Sequence, residues 1–288
     1  MREQKYEIKN IDSFKLKDIF ECGQCFRWNI EENGSYTGVV QNNVINVYQN
    51  GNDVVFTGMC EDDIQDICNN YFDLKTDYKF IKQELSKIDN DLKKSIQFGS
   101  GIRILNQDLW ECIISFIISA NNNIPRIKKI IENLSLHYGN KILWNNKEYY
   151  TFPTPEQLSK ASVQDLRNLG LGFRDKRVYD TTRDILNKKV DLQELEKMQD
   201  VVKIKEQLLT LNGVGEKVAD CIMLFSLKKF EVFPIDVWVR RVMNDLYIKN
   251  PDETKVSKKE IQTLAKNKYK NLAGIAQQYL FYWKREIS

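Results

Sequence analysis

Leu211-Asn212-Gly213-Val214-Gly215-Glu216-Lys217 joins two helical patterns, and the architecture of the C-terminal half depends on how this stretch is read. Upstream of it Val201, Val202, Ile204, Leu208 and Leu211 recur at helical spacing; downstream Val218, Ile222, Phe225 and Leu227 do the same. Two glycines two residues apart suit the positive φ of a tight helix-to-helix turn, which leaves the turn's backbone N–H groups facing outward. Those groups open the second helix, where the dipole favours an anion such as a phosphate. A bare G-x-G serves an ordinary helical connection equally well, so the neighbouring residues have to decide.

Lys217 falls in the first turn of the second helix, where the dipole disfavours a cation and favours a free, nucleophilic amine. Further on, Phe233-Pro234-Ile235-Asp236-Val237-Trp238 sets a proline and an acid at the head of the next helix. One helix and one short loop fill the interval, so Asp236 can fold back towards Lys217. Taken alone, the two charges would equally make a surface salt bridge.

The run from Leu211 to Cys221 followed by Val232-Phe233-Pro234-Ile235-Asp236 resembles the helix-hairpin-helix and Gly/Pro-Asp signature of base-excision DNA glycosylases, and is most similar to the 8-oxoguanine DNA glycosylases. Gly23-Gln24-Cys25-Phe26-Arg27-Trp28, Asn121-Asn122-Asn123-Ile124-Pro125-Arg126-Ile127 and Leu169-Gly170-Leu171-Gly172-Phe173-Arg174 match three further family motifs in the right order. The resemblance covers nearly the whole chain. It implies an α+β, mostly helical fold, with an N-terminal antiparallel β-sheet subdomain followed by a helical glycosylase domain.

Composition is compatible with that reading and excludes some others. At 288 residues the chain is long enough for two domains, or one large one, with a substantial core. No apolar run approaches the length of a membrane span, and the first residues lead into no signal core, so an intracellular protein is expected. The net charge of +3 says little. Its distribution says more, because acidic residues are in excess over the first hundred positions and basic ones after residue 200. A polyanion-binding face needs that asymmetry, although lysine-rich solvated helix faces produce it too.

Cys22-Gly-Gln-Cys25 has the spacing of a redox or metal pair. No second C-x-x-C follows, His137 is the only histidine, and the C-terminal segment lacks the four-cysteine run of an iron–sulfur cluster. Zinc on Cys22, Cys25, Cys60 and Cys68 is the lesser alternative. The six cysteines read as reduced, mostly buried thiols, and no cofactor requirement is expected.

Strand-like runs at Thr37–Val40, Val44–Tyr48 and Asp53–Thr57 are separated by hairpin turns, and helical patterns at Glu61–Phe72 and Phe80–Gln97 offer the sheet a cover. Residues 1–100 therefore read as an α+β subdomain. Residues 101–288 read as a helical domain, with the helix-hairpin-helix at about 201–228. In it Leu109, Trp110, Ile113, Ile114, Phe116, Ile117 and Ile118 mark a central, buried helix that stops at the three asparagines. Helical segments are expected near 155–161, 163–169, 174–186, 192–198, 237–247, 258–268 and 273–284.

An enzyme that removes a base from a duplex has to rotate the nucleotide out of the stack. The resemblance distributes the necessary roles. Lys217 is the nucleophile at the sugar and Asp236 stabilises its developing positive charge; imine chemistry then permits strand cleavage, so the enzyme is both glycosylase and lyase. Gly23, Cys221, Gln277 and Phe281 form the base pocket. Gly23 offers its carbonyl to the N7–H that distinguishes 8-oxoguanine from guanine, and Cys221 shares the helical face of Lys217. Asn121 fills the vacated space, Arg126 and Arg174 read the orphaned cytosine, and Phe173 wedges beside it. Gly213 and Gly215 grip a phosphate. The resemblance also implies a structural cation on the carbonyls of Leu209, Leu211 and Val214. The expected partner is duplex DNA carrying 8-oxoguanine opposite cytosine, bound by a monomer. One departure stands out: Trp238 occupies a position where well-known members carry a DNA-contacting histidine, so a charge is missing there. A glycosylase for another damaged base, or a DNA-binding protein without catalysis, remain the competing readings.

Overall fold

Five strands form one antiparallel sheet in the computed structural model, which describes residues 1–287. They are β1 (Arg2–Ile8), β2 (Trp28–Ile30), β3 (Tyr36–Val40), β4 (Asn43–Asn50) and β5 (Asp53–Cys60), in the order β1-β5-β4-β3-β2. The three expected strands are the central ones, joined by turns in which Gln41 and Gly51 take positive φ. The two edges escaped the sequence reading. β1 alternates half-buried Gln4, Tyr6 and Ile8 with exposed charges, an edge pattern with few apolar residues. β2 spans only three residues.

Helices α1 (Leu16–Glu21) and α2 (Ile64–Tyr71) belong to the sheet's core, in which Phe14, Phe20, Trp28, Phe56 and Phe72 interlock. The Phe20 and Trp28 rings stack at 4.3 Å, and the Trp28 indole N–H donates to the Tyr71 hydroxyl at 2.8 Å. The pattern expected as one helix over Phe80–Gln97 is two, α3 (Tyr78–Ser86) and α4 (Asn90–Phe98). Asp89 breaks it by accepting the Leu92 N–H at 2.7 Å as an N-cap. Nor do these two helices cover the sheet. Ile81, Leu85, Leu92 and Ile96 join the helical core instead, and α4 packs on the chain's last helix.

At the centre of that second core lies α5 (Leu109–Ser119), buried from Leu109 through Ile118 except at Glu111. After it come α6 (Ile124–Tyr138) and a small hairpin, β6 (Lys141–Trp144) with β7 (Lys147–Tyr150). The rest is helical: α7 (Pro155–Leu158), α8 (Val163–Leu166), α9 (Asp175–Leu186), α10 (Leu192–Lys197), α11 (Val201–Leu209), α12 (Glu216–Ser226), α13 (Val237–Met243), α14 (Lys258–Tyr269) and α15 (Ala273–Ile287). All six cysteines are free and buried. Among the described residues no group of three or more His, Cys, Asp or Glu side chains is placed to hold a metal ion, and no helix is long and apolar enough to cross a membrane.

Candidate active site and nucleic-acid interface

The hairpin turn between α11 and α12 is shaped differently by its two glycines. Gly213 has φ +90°, and a Cβ there would come within 2.9 Å of Arg177 Cδ and 3.2 Å of Ile117 Cγ2. Both conformation and space require glycine. Gly215, expected to be left-handed as well, is extended at φ −96° and ψ −179°, and a Cβ on it would meet nothing within 4 Å. Its contribution is the absence of a side chain, because it is the N-cap of α12 and supplies no capping oxygen. The neighbouring helices α11 and α13 are capped by Asp200 and Asp236. The start of α12 is therefore a helix N-terminus with its first N–H groups open to an outside acceptor. Thr181 of α9 secures the turn by donating to the Asn212 carbonyl at 2.9 Å, and the Asn212 amide donates to Asp180 at 2.7 Å.

Lys217 is half-buried in the first turn of α12, its ammonium 5.3 Å from the centre of the Phe116 ring. Asp236 is carried in by the buried run Val232–Ile235 and accepts the Val239 N–H at 2.7 Å through one carboxylate oxygen. Cys221 lies one turn along α12 from Lys217. Burial pushes its thiol up to about 11; the Lys217 ammonium opposes this rise, while Asp220 and Asp236 add to it. The thiol therefore lies within electrostatic reach of both the Lys217 amine and the Asp236 carboxylate. Among the described residues no ion pair within 4.0 Å ties Lys217 to Asp236, and the amine is not locked into the salt bridge that the sequence left open.

Gly23 and Phe281, which lie far apart in sequence, meet in space. Gly23 has φ +87°, and a Cβ on it would touch Phe281 Cε1 at 3.4 Å. A residue not singled out from sequence, Gln24, holds the loop in place. Completely buried, it donates to the carbonyls of Ile19 (2.9 Å) and Arg103 (2.8 Å) and accepts the Leu105 N–H at 2.9 Å. Gln277 is 4% exposed, and its amide oxygen accepts from Gln278 at 2.9 Å.

A second group of residues gathers beyond the end of α5. The three asparagines divide the work: Asn122 donates to the Ile118 carbonyl at 3.1 Å, closing α5, and Asn123 accepts the Arg126 N–H at 3.0 Å, opening α6. Asn121, exposed and at φ +51°, is the one not used as a cap. Phe173 projects with 54% of its surface exposed, flanked by the guanidinium groups of Arg174 at 4.2 Å and Arg177 at 5.1 Å.

Arg174, to which the resemblance gives the reading of the orphaned cytosine, is enclosed by its neighbours. It is 2% exposed and donates to the carbonyls of Ala120 (2.9 and 2.6 Å), Asn121 (2.7 Å) and Leu171 (3.3 Å). It supports the Asn121 loop from beneath, satisfying carbonyls that would be left unpaired at about 1–3 kcal/mol each. Burial first, then Arg126 and Arg177, holds its guanidinium below the ordinary value. Arg126 is exposed, with Nη2 3.4 Å from the Gly170 carbonyl. Arg177 was not anticipated. Its position three residues after Arg174 on α9 was the available signal, and it links Phe173 to the hairpin at Gly213. Trp238, in the first turn of α13, is 41% exposed.

Residues 7–113 match the family described as 8-oxoguanine DNA glycosylase, N-terminal domain, and residues 114–271 that described as HhH-GPD superfamily base excision DNA repair protein. A probable N-glycosylase/DNA lyase of Methanothermobacter thermautotrophicus is 34% identical over 230 residues, 73% of this chain and 70% of that one. N-glycosylase/DNA lyase OGG1 of Arabidopsis thaliana is 31% identical over 286 residues, 91% and 75% of the two chains. The solved structure of Clostridium acetobutylicum 8-oxoguanine glycosylase/lyase, in complex with dsDNA containing cytosine opposite to 8-oxoG, superposes with a TM-score of 0.93 at 44% identity, covering 100% of this chain and 98% of that one. These matches run through both halves of the sequence, and the chain belongs to the HhH-GPD superfamily of base excision DNA repair proteins, carrying the N-terminal domain of 8-oxoguanine DNA glycosylases.

Proposed function

We propose that the protein removes 8-oxoguanine paired with cytosine from double-stranded DNA and then cleaves the strand at the resulting abasic site. The observation that carries this is the placing of Lys217 at the uncapped start of α12 and Asp236 at the head of α13, both acting on the Cys221 thiol. Simple DNA binding requires neither a half-buried amine nor a carboxylate acting on the same thiol.

In this reading the open N–H groups after Gly215, with the turn at Gly213, hold a backbone phosphate. The carbonyls of Leu209, Leu211 and Val214 would be the ligands of a structural cation, whose charge would offset that of the phosphate. The Leu211 carbonyl already accepts the Val214 N–H at 3.2 Å, which leaves it one lone pair. Asn121 enters the space left by the rotated nucleotide, and Phe173 opens the adjacent step. Arg126 donates to the orphaned cytosine, while Arg174 acts there mainly by fixing the Asn121 loop. Trp238 supplies an indole N–H to the DNA backbone.

The extruded base stacks between Phe281 and Cys221, with N7–H on the Gly23 carbonyl and Gln277 on its Watson–Crick edge. The glycosidic bond breaks with its electron pair leaving on the base, and Asp236 stabilises the positive sugar. The Lys217 amine bonds to C1′, and ring opening gives a protonated imine. That imine acidifies C2′; loss of a C2′ proton expels the 3′ phosphate and nicks the strand. The protein acts as a monomer inside the cell.

Duplexes carrying 8-oxoguanine, 3-methyladenine or no lesion test the assignment. Only the first is expected to be nicked, about tenfold or more faster opposite cytosine than opposite adenine. Nicking of the alkylated duplex alone would overturn it.

Gly215→Asp separates stability from grip. The extended backbone accepts a side chain, and the carboxylate would cap α12, stabilising the fold by about 0.5 kcal/mol. The same carboxylate occupies the phosphate's place, so affinity for duplex DNA is expected to fall by at least about tenfold. Thermal melting and titration with labelled duplex read the two effects, and a rise in both stability and affinity would remove the phosphate site.

A further inference from the structure

The last turn of α15 reaches back across the molecule to the N-terminal half. Arg285 Nη2 donates to the carbonyl of Glu21, the final residue of α1, and to the Glu286 carboxylate at 2.9 Å; Nε reaches the same carboxylate at 3.2 Å. The guanidinium carbon lies 5.4 Å from the Phe281 ring centre and 5.6 Å from that of Tyr282. The remaining nitrogen, Nη1, is buried and has no hydrogen-bond partner. It sits 3.2 Å from where a Cβ on Gly23 would be, a place that Phe281 Cε1 approaches to 3.4 Å.

A buried cationic donor without an acceptor is costly, and native structures rarely tolerate one that finds no partner in any state. This donor rests against the two residues assigned above as walls of the base pocket. An oxidised purine that lifts Phe281 and enters beside Gly23 carries the missing acceptors. With its N7–H on the Gly23 carbonyl, O6 and O8 flank that bond on either side, and both are able to accept from Nη1.

We propose that Arg285 contacts the extruded base, Nη1 donating to the carbonyl edge of the oxidised purine next to its N7–H; this rests on the reading of Gly23 and Phe281 as pocket walls. The contact matters most as the glycosidic bond breaks. The departing base takes the bond's electron pair, and a guanidinium against its carbonyl oxygens stabilises the anion that forms. Arg285 therefore acts on the rate of base release more than on affinity for the duplex.

Arg285→Met keeps an unbranched stem against Phe281 and Tyr282 and removes every donor. Three quantities are measured on that variant: single-turnover release of 8-oxoguanine opposite cytosine, affinity for the same duplex, and nicking of a duplex with a preformed abasic site. Base release is expected to fall about 10- to 100-fold, as for the loss of one charge-assisted hydrogen bond. Affinity and abasic nicking are expected to hold, which shows that the fold, Lys217 and the DNA grip are intact. Unchanged base release, or a parallel fall in abasic nicking from a general loss of structure, overturns the contact. A wild-type protein that releases no 8-oxoguanine overturns the function and the contact together. Normal wild-type release matched by Arg285→Met overturns the contact alone.

Discussion

Borohydride added to the protein and an 8-oxoguanine·cytosine duplex is expected to freeze a covalent adduct that Lys217→Gln does not form. Reduction converts the imine between Lys217 and C1′ into a stable amine, so the adduct reports the nucleophile directly. Glutamine retains most of the stem over Phe116 and keeps hydrogen-bonding capacity, and the helix start at Gly215 is untouched. Duplex binding should therefore survive, while base release and nicking fall by at least about a thousandfold, the usual cost of losing a covalent nucleophile. Gel mobility after reduction reads the adduct. An adduct of wild-type strength in Lys217→Gln would move the chemistry to another amine and remove the central assignment.

Asp236→Asn is the complementary experiment, because it separates a structural task from a chemical one. The carboxylate caps α13 by accepting the Val239 N–H at 2.7 Å, and asparagine caps helices about as well as aspartate. Folding stability is thus expected to stay within about 0.5 kcal/mol. The negative charge beside the sugar is lost, and base release should fall about 10²- to 10³-fold, in line with removal of one preorganised electrostatic partner. Melting curves and single-turnover kinetics decide it together. A large loss of stability would make the capping bond the residue's principal role, and unchanged kinetics would remove Asp236 from the chemistry.

The parts of the molecule legible in sequence are those where local rules are strong. The apolar periodicity of α5, the turns around Gln41 and Gly51, and the G-x-G hairpin each follow from short-range chemistry, and the order of the motifs supplied the rest of the architecture. Errors arose where tertiary context decides. The period through Phe80–Gln97 runs on across Asp89, so the capping aspartate was the only sign of a break, and nothing local tells α3 and α4 which core to join. Gly215 and Gly213 look alike in the sequence, yet one is needed for its backbone angle and the other for its lack of a capping side chain. The burial of Arg174, to which the resemblance gave only the reading of the orphaned cytosine, depends on the carbonyls of Ala120 and Asn121, 54 and 53 residues earlier in the chain. Gln24 lies within the quoted Gly23–Trp28 motif, but its partners at Arg103 and Leu105 come from a distant segment, as does the hairpin at Gly213 that Arg177 approaches.

The burial of all six cysteine thiols bears on the conditions under which this enzyme works. Peroxides react with thiolates, and desolvation holds the thiols of Cys22, Cys60 and Cys221 up at about 12, 11 and 11, with Cys25, Cys68 and Cys112 likewise raised. At neutral pH each is protonated and shielded from water. A burst of reactive oxygen that damages guanine therefore meets no exposed thiolate in the repair protein, and its thiols are expected to oxidise slowly under the same insult that creates its substrate.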